Sequence, residues 1–322
     1  MPGTVHLTTS TPPTSGAGLP SPGRLFRDRR ATPRPEPGVP LAVEAGLTLG
    51  QSLRRHWPEY GVEALFLALF VLCGGLVSAM LEGAGVDAQA LPWRRALAGV
   101  TIGLLLMAMI YSPWGRRSGT HLNPAITLAY LRLGKVGRWD ALFYLLAQLI
   151  GALAAVAVLR SGALLPHAAA PALLTASIGP DNPWSAFGTQ LVLSATGMLL
   201  ILYTSNHASW FRFTGVLYAL LVMLIVACSA PLSGFGMNLA RLLAVDVSAD
   251  ADALRWLNLL PPLLGMQLAA EAWRLVTGRS QPLCAKLAHN THGRCIFRCQ
   301  HPYQTRALAM EAIRRRASNK RR

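Results

Sequence analysis

Apolar residues run along the chain in six stretches long enough to cross a bilayer, separated by shorter polar segments. At about 20 residues per crossing, the predicted spans are Val62 to Leu81, Ala96 to Tyr111, Trp139 to Leu159, Phe187 to Tyr203, Val216 to Ala230 and Trp256 to Val276. Two further apolar stretches are only about half that length. They follow Asn123 and Asn238, and each reads as a loop, an Asn at an N-cap, then a short helix. A helix too short to span, set among helices that do, predicts a re-entrant half-helix. Non-helical backbone at that depth is tolerated only where protein or a water-filled cavity satisfies it. The pattern predicts an all-α membrane protein with six transmembrane helices and two re-entrant half-helices.

The two half-helices come from one repeated stretch. SGTHLNPAITLA, Ser118 to Ala129, and SGFGMNLARLLA, Ser233 to Ala244, share Ser, Gly, Asn, Ala, Leu and Ala in register. Copies this far apart indicate a duplicated half, repeat one at 57–160 and repeat two at 183–278, within a channel domain at 57–278. Each half holds an odd number of spans, so the halves are inverted three-helix repeats. The half-helices then enter from opposite faces and bring their N-termini together near the membrane midplane. Each N-terminus carries about half an elementary positive charge. Asn123 and Asn238 are expected to offer side-chain N–H donors to a lumen there, and Pro124 suits the first helical position. A water or hydroxyl can accept from both donors, whereas cations and protons are repelled. One copy alone would read as an ordinary cap on a buried loop; two in register point to a pore.

Of 322 residues, 52% are hydrophobic and 14% charged, which fits a multi-span membrane protein. The net charge of +16 lies mostly at the two ends. Basic tails beside apolar spans act as a topology signal and attract anionic lipid, so nucleic acid is not an expected partner. Residues 1–56, rich in Pro, Ser, Thr, Gly and Arg, are expected to form a disordered basic cytoplasmic extension. They lack the apolar core of a signal peptide, and their prolines argue against an organellar transit helix. Counting Lys and Arg between spans predicts both termini on the cytoplasmic side of the cell membrane, with Trp93-Arg94-Arg95 as the exception. No base–nucleophile pair stands out, so an enzyme is not expected.

These residues resemble a known family. SGTHLNPAITLA, the degenerate SGFGMNLAR, Glu63 in the first span and RWDALFYLLAQLIGA in the third resemble the major intrinsic proteins, the aquaporins and aquaglyceroporins, over about residues 60–277. The resemblance implies an aquaporin-like fold, a homotetramer with one pore per protomer, and passive passage of water and/or small neutral, glycerol-like solutes. It implies no required cofactor. It assigns the pore centre to Asn123, Pro124, Ala125, Asn238, Leu239 and Ala240. It assigns the selectivity filter to Arg241, Phe235, Val226 and Gly103, or Ile102 if Pro113-Trp114 marks a one-residue insertion. Glu63 and Gln190 are assigned to half-helix support. Several positions depart from the family pattern. Leu239 stands where the family has Pro, which predicts a slightly looser half-helix. Gln190 replaces a Glu but can still accept through its carbonyl oxygen. Val226 replaces the His of water-selective members, and Leu242 replaces the Asp common in glycerol facilitators. Water and glycerol-sized solutes both remain open.

The basic segment 279–322 is expected to be a cytoplasmic tail. It carries Cys284, Cys295, Cys299 and His301, with His289 and His292 between them. On a reducing side disulfides are not the resting state. Thiolates with imidazole suit zinc or iron, but the spacing C-x10-C-x3-C-x-H matches no common metal pattern. Free thiols in a basic tail are the favoured reading, and a metal- or redox-responsive element is the other. That element would serve the alternative function, a membrane-structural or sensing protein with a closed pore.

Overall fold

The computed structural model describes residues 47–82, 92–164, 183–207, 209–233, 236–247, 256–278, 282–289 and 295–300. Among them the helices are α1 (Leu49–Glu82), α2 (Pro92–Tyr111), α3 (Pro113–Ser118), α4 (Pro124–Arg132) and α5 (Arg138–Arg160). The second half supplies α6 (Pro183–Asn206), a 3-10 turn (Phe211–Phe213), α7 (Thr214–Ser233), α8 (Leu239–Val247) and α9 (Trp256–Val276). No strand occurs among the described residues. Five helices (α1, α2, α5, α6 and α7) are long and apolar enough to cross a membrane. α9 has 21 residues, enough for a bilayer core at about 1.5 Å per residue, but Pro261, Pro262, Gln267, Glu271 and Arg274 dilute its apolar character.

The packing repeats between halves. α1 packs on α5 and α6 packs on α9, while α2 and α7 pack on each other between them. Each half-helix, α4 and α8, touches both α5 and α9. Glycines allow the close approaches. A Cβ on Gly151 of α5 would lie 2.1 Å from the Ala64 carbonyl of α1, and one on Gly265 of α9 would lie 2.3 Å from the Leu191 carbonyl of α6. Ala64 and Leu191 directly follow Glu63 and Gln190, so the two contacts are counterparts. Leu104, Ile150, Val192, Leu224 and Leu268 are exposed on the outside of the bundle, as lipid-facing positions should be. Trp57, Trp93, Trp184 and Trp210 are exposed near helix ends, where interfacial tryptophans belong.

Two boundaries differ from the sequence expectation. α1 begins at Leu49, ahead of the boundary at 56 and well before Val62. Hydropathy finds only the lipid-depth part of this helix; its first turns are polar and held by the bundle. Ser52, His56 and Glu59 are buried there. Asp140 of α5 accepts from Tyr60 Oη and pairs with His56 Nδ1, each at 2.6 Å, and Arg117 Nε donates to Glu59 at 2.9 Å. The second difference is in the tail. Residues 282–288 are largely buried, as are Ile296 and Phe297. They pack against the end of the bundle that carries Arg116, Arg132 and Lys135, called here the basic end. Leu283 N–H donates to Asn206 Oδ1 at 2.6 Å, Lys286 Nζ to the Arg116 carbonyl at 2.8 Å, and Arg298 N–H to the Lys135 carbonyl at 3.0 Å.

Candidate functional site

The first signature loop is built around a buried carboxylate. Glu63 is fully buried on α1. Its Oε1 accepts from Ser118 Oγ at 2.9 Å and His121 N–H at 3.0 Å; its Oε2 accepts from Leu122 N–H at 2.7 Å and Gln148 Nε2 at 2.9 Å. A charged acceptor holding four donors is what makes a carboxylate tolerable in such a place. The loop needs this hold because its backbone is strained. Thr120 and Leu122 have φ of 56° and 52°, a left-handed region that holds at a cost of order 1–3 kcal/mol per residue. In the second half, buried Gln190 lies against the second loop. A Cβ on Gly236 would come within 2.3 Å of its amide nitrogen.

The two asparagines cap their half-helices and tie the loops together. Asn123 Oδ1 accepts from Ala125 N–H at 3.0 Å; Asn238 Oδ1 accepts from Ala240 N–H at 3.1 Å and Arg241 N–H at 3.3 Å. Asn123 Nδ2 donates to the Met237 carbonyl at 2.8 Å, and Asn238 Nδ2 donates to the Leu122 carbonyl at 2.6 Å. Each amide has two N–H groups, and the cross-loop bond takes one of them; the expectation placed these donors toward a lumen, and each asparagine also spans the two loops. Leu239, the departure from the family's proline, makes a contact of its own. Its N–H reaches Asn123 Oδ1 at 3.3 Å, a bond that a proline, lacking the N–H, could not make.

A cavity lies at this junction, lined by Phe70, Leu106, His121, Leu122, Asn123, Tyr218, Val222, Met237 and Asn238. The polar side chains of its lining are the two asparagines, His121 and the hydroxyl-bearing Tyr218; the rest are apolar. Helical phase extends the cavity wall away from the basic end. Val226 lies four residues beyond Val222 on α7, and Ile102 lies four residues before Leu106 on α2, so each shares its neighbour's face. Gly103 does not. A Cβ there would meet Met223 Cβ at 3.0 Å and the Ala219 carbonyl at 3.1 Å; with Gly99 against the Met223 carbonyl it forms a small-residue contact between α2 and α7. The gap-free choice of Gly103 is corrected to Ile102 as the α2 residue on the cavity face. Arg241 sits in the first turn of α8, half-buried. Phe235 and the candidate metal ligand His301 lie outside the described residues, as does His292.

Sequence reasoning missed the wall residues Phe70, Leu106, Tyr218 and Val222, although steps of four residues from Ile102 to Leu106 and from Val226 back to Val222 and Tyr218 carry the signal for three of them. It also missed how His121 is used. His121 Nε2 donates to the Ala285 carbonyl at 2.8 Å, which makes its Nδ1 the acceptor from Thr127 Oγ1 at 3.1 Å. Its ring stacks between Tyr130 and Phe297, with centroids at 5.3 and 5.2 Å.

Beside this seat, Cys284, His289, Cys295 and Cys299 bring four ligand atoms within 4.8 Å of one another. Cys284 Sγ is 3.5 Å from Cys295 Sγ, and His289 Nε2 is 3.0 Å from Cys299 Sγ. None of the five cysteines is in a disulfide. Hydrogen bonds from Cys284 and Cys299 hold the Cys295 thiol well below its usual range, while burial holds Cys284 well above. Burial also pulls the Lys135 ammonium down to about 8, against the opposing pull of nearby Cys284.

Comparison with known proteins places this architecture. The model of the family described as Major intrinsic protein matches residues 53–273. Aquaporin A of Dictyostelium discoideum is 32% identical over 213 residues, covering 65% of this chain and 74% of its own. Glycerol uptake facilitator protein-like 6 of Lactiplantibacillus plantarum is 29% identical over 181 residues, covering 55% and 83%. The X-ray structure of the aquaglyceroporin from Plasmodium falciparum aligns with a TM-score of 0.55 at 19% identity, over 69% of this chain and 98% of that one.

Proposed function

This chain belongs to the major intrinsic protein family, and from that membership we propose passive conduction of water and glycerol-sized neutral solutes with exclusion of ions. Its relatives support the coarser statement, a membrane channel for water or small solutes rather than an enzyme. The single observation that carries the finer one is the pair of facing N-caps. Two half-helix N-termini and two amide groups meet at one cavity. A neutral hydroxyl finds donors there, while a cation meets two positive helix ends.

The solute is set further along the wall. Ile102, Val226, Phe235 and Arg241 are proposed as the filter, three apolar residue types with one guanidinium donor. Such a wall suits a small amphipathic solute as well as water, because the carbon face of a polyol finds apolar contact while a hydroxyl meets Arg241. Arg241 in an apolar stretch is best accommodated where it faces water. Glu63 and Gln190 are proposed to support the two half-helices. A homotetramer with one pore per protomer is the assembly proposed, in the cell membrane with both termini cytoplasmic.

Stopped-flow light scattering on proteoliposomes tests this. Against an impermeant osmolyte, vesicles with the protein should shrink faster than empty ones; under a glycerol gradient they should then re-swell faster. Val226→Arg should abolish both while leaving assembly unchanged. Flux through Val226→Arg equal to that of the parent would sink the assignment of this wall as the pore. A closed pore is the second reading, favoured by one observation, the tail seated on His121 of the cavity wall.

A further inference from the structure

We propose that Cys284, His289, Cys295 and Cys299 form a binding site for a zinc-class divalent cation that clamps the C-terminal segment over the basic-end mouth of the channel. The donor set is three thiols and one imidazole, which suits a borderline-soft metal in a closed tetrahedral site. Bonds of about 2.3 Å to sulfur and about 2.0–2.1 Å to nitrogen require ligand atoms roughly 3.5–3.8 Å apart by tetrahedral geometry. The observed separations run from 3.0 and 3.5 Å up to 4.8 Å, so small side-chain adjustments close the shell. Among the described residues the imidazole comes from His289, in the same segment as Cys284; His301, expected as the fourth ligand, lies outside them. No common sequence spacing could have pointed to that choice.

The surroundings match the charge of a loaded site. Three thiolates and a neutral imidazole around a divalent cation leave one net negative charge, with the thiol protons released to solvent. Buried Lys135 stands close enough to Cys284, Cys295 and Cys299 to interact with them electrostatically, and Lys286 does so with Cys295. Both lysines also bind backbone across the seam. Lys135 Nζ donates to the Arg298 carbonyl at 2.9 Å and Lys286 Nζ to the Arg116 carbonyl at 2.8 Å.

The site couples to the pore through one residue. His121 lines the cavity at the paired asparagines, and the tail holds its ring with the Ala285 carbonyl and the face of Phe297. Leu287 N–H further takes the carbonyl of Gly119, two residues earlier in the same loop, at 3.2 Å. Ala285 adjoins Cys284, and Phe297 lies between Cys295 and Cys299. A metal on these four ligands therefore fixes the two tail groups that hold His121. Apart from the cluster, segments 282–289 and 295–300 are joined by the backbone bond from Gln300 N–H to the Leu283 carbonyl at 2.7 Å, among other contacts. This effect on flux rests on the channel reading; the metal site itself does not.

The test uses the full-length protein, purified under reducing conditions, with three readouts. Metal content should be about one zinc per chain, and cobalt(II) added after chelation should give thiolate-to-cobalt charge-transfer absorption. Cys295→Ser and Cys299→Ser should lose both signals, whereas His301→Ala and His292→Ala should keep them. Limited trypsin treatment should spare Lys286 with zinc present and cleave after it once zinc is chelated. Water permeability in proteoliposomes should rise several-fold on chelation and fall back when zinc returns, with Cys295→Ser insensitive to either. Absence of bound zinc or cobalt, with only a Cys284–Cys295 disulfide forming on oxidation, would overturn the metal site. Zinc binding with no change in trypsin protection or permeability would overturn the clamp. If every variant lacks flux while zinc still controls trypsin protection, the failure belongs to the channel reading and the site stands.

Discussion

Glu63 and Gln190 occupy matching positions but do different work. Glu63 gathers four donors because its loop has two residues in left-handed backbone conformation. Gln190 faces a loop whose Gly236 lets the amide approach without a Cβ between them. At the asparagines the division is subtler. Each Oδ1 satisfies free N–H groups of a half-helix, and each Nδ2 donates to a carbonyl of the opposite loop. Asn123→Asp separates the two roles. The carboxylate keeps the bonds from Ala125 and Leu239 but forfeits the one to Met237, a loss of about 1 kcal/mol. It also sets a negative charge beside the cavity. Cation exclusion should weaken, read as a sodium conductance in planar bilayers above that of the parent protein, while detergent-solubilised protein melts only a few degrees lower. A variant as tight to sodium as the parent would show that the amide donors do not set charge selectivity.

Between elements, contact is decided by where glycines sit. Gly151 and Gly265 each meet a carbonyl of the facing helix at a distance no Cβ could occupy, at matching places in the two halves. Gly61 and Gly188 have open space around the same position. Gly151→Ala and Gly265→Ala should therefore each destabilise by about 1–3 kcal/mol through overpacking. Gly61→Ala and Gly188→Ala should leave stability equal or slightly higher, since Ala favours a helix interior. Thermal unfolding in detergent, followed by helical circular dichroism, would register the contrast. Equal midpoints for all four would mean that the α1–α5 and α6–α9 seams are looser than drawn. Element positions were legible in the chain because lipid demands apolar runs, and the half-helices because Asn-capped copies recur in register. The start of α1 was not, since Ser52, His56 and Glu59 are buried by pairing rather than by apolarity. Gly103 and Ile102 stayed alternatives for a related reason: counting along a signature cannot tell which face of α2 meets α7. The tail fold was hidden because its ligands join segments whose spacing follows no common pattern.

The whole molecule sorts its charge by end. Arg116, Lys135, Arg212, Lys286 and Arg298 are linked at one end by bonds among their backbones and side chains, including Tyr111 Oη to the Arg212 carbonyl at 2.7 Å. Arg132 joins them through an ion pair with Glu271, which also takes Arg274 at 3.1 Å. Arg94 and Arg95 lie at the start of α2, a full helix away from Tyr111. The excess of positive charge predicts that the basic end faces the cytoplasm. With an even number of crossings, both chain ends are predicted on that side. The tail makes this testable without reference to transport, because the same end that collects arginines also carries the seat for segments 282–289 and 295–300. Epitope tags at Met1 and Arg322 should both be removed by protease in sealed inverted membrane vesicles and both survive in intact cells. Divided protection, one tag lost and one kept, would mean an odd number of crossings and would break the inverted repeat. Loss of both tags from intact cells would reverse the orientation, placing the Cys/His cluster on the outer face, where disulfides rather than thiolates are the stable form.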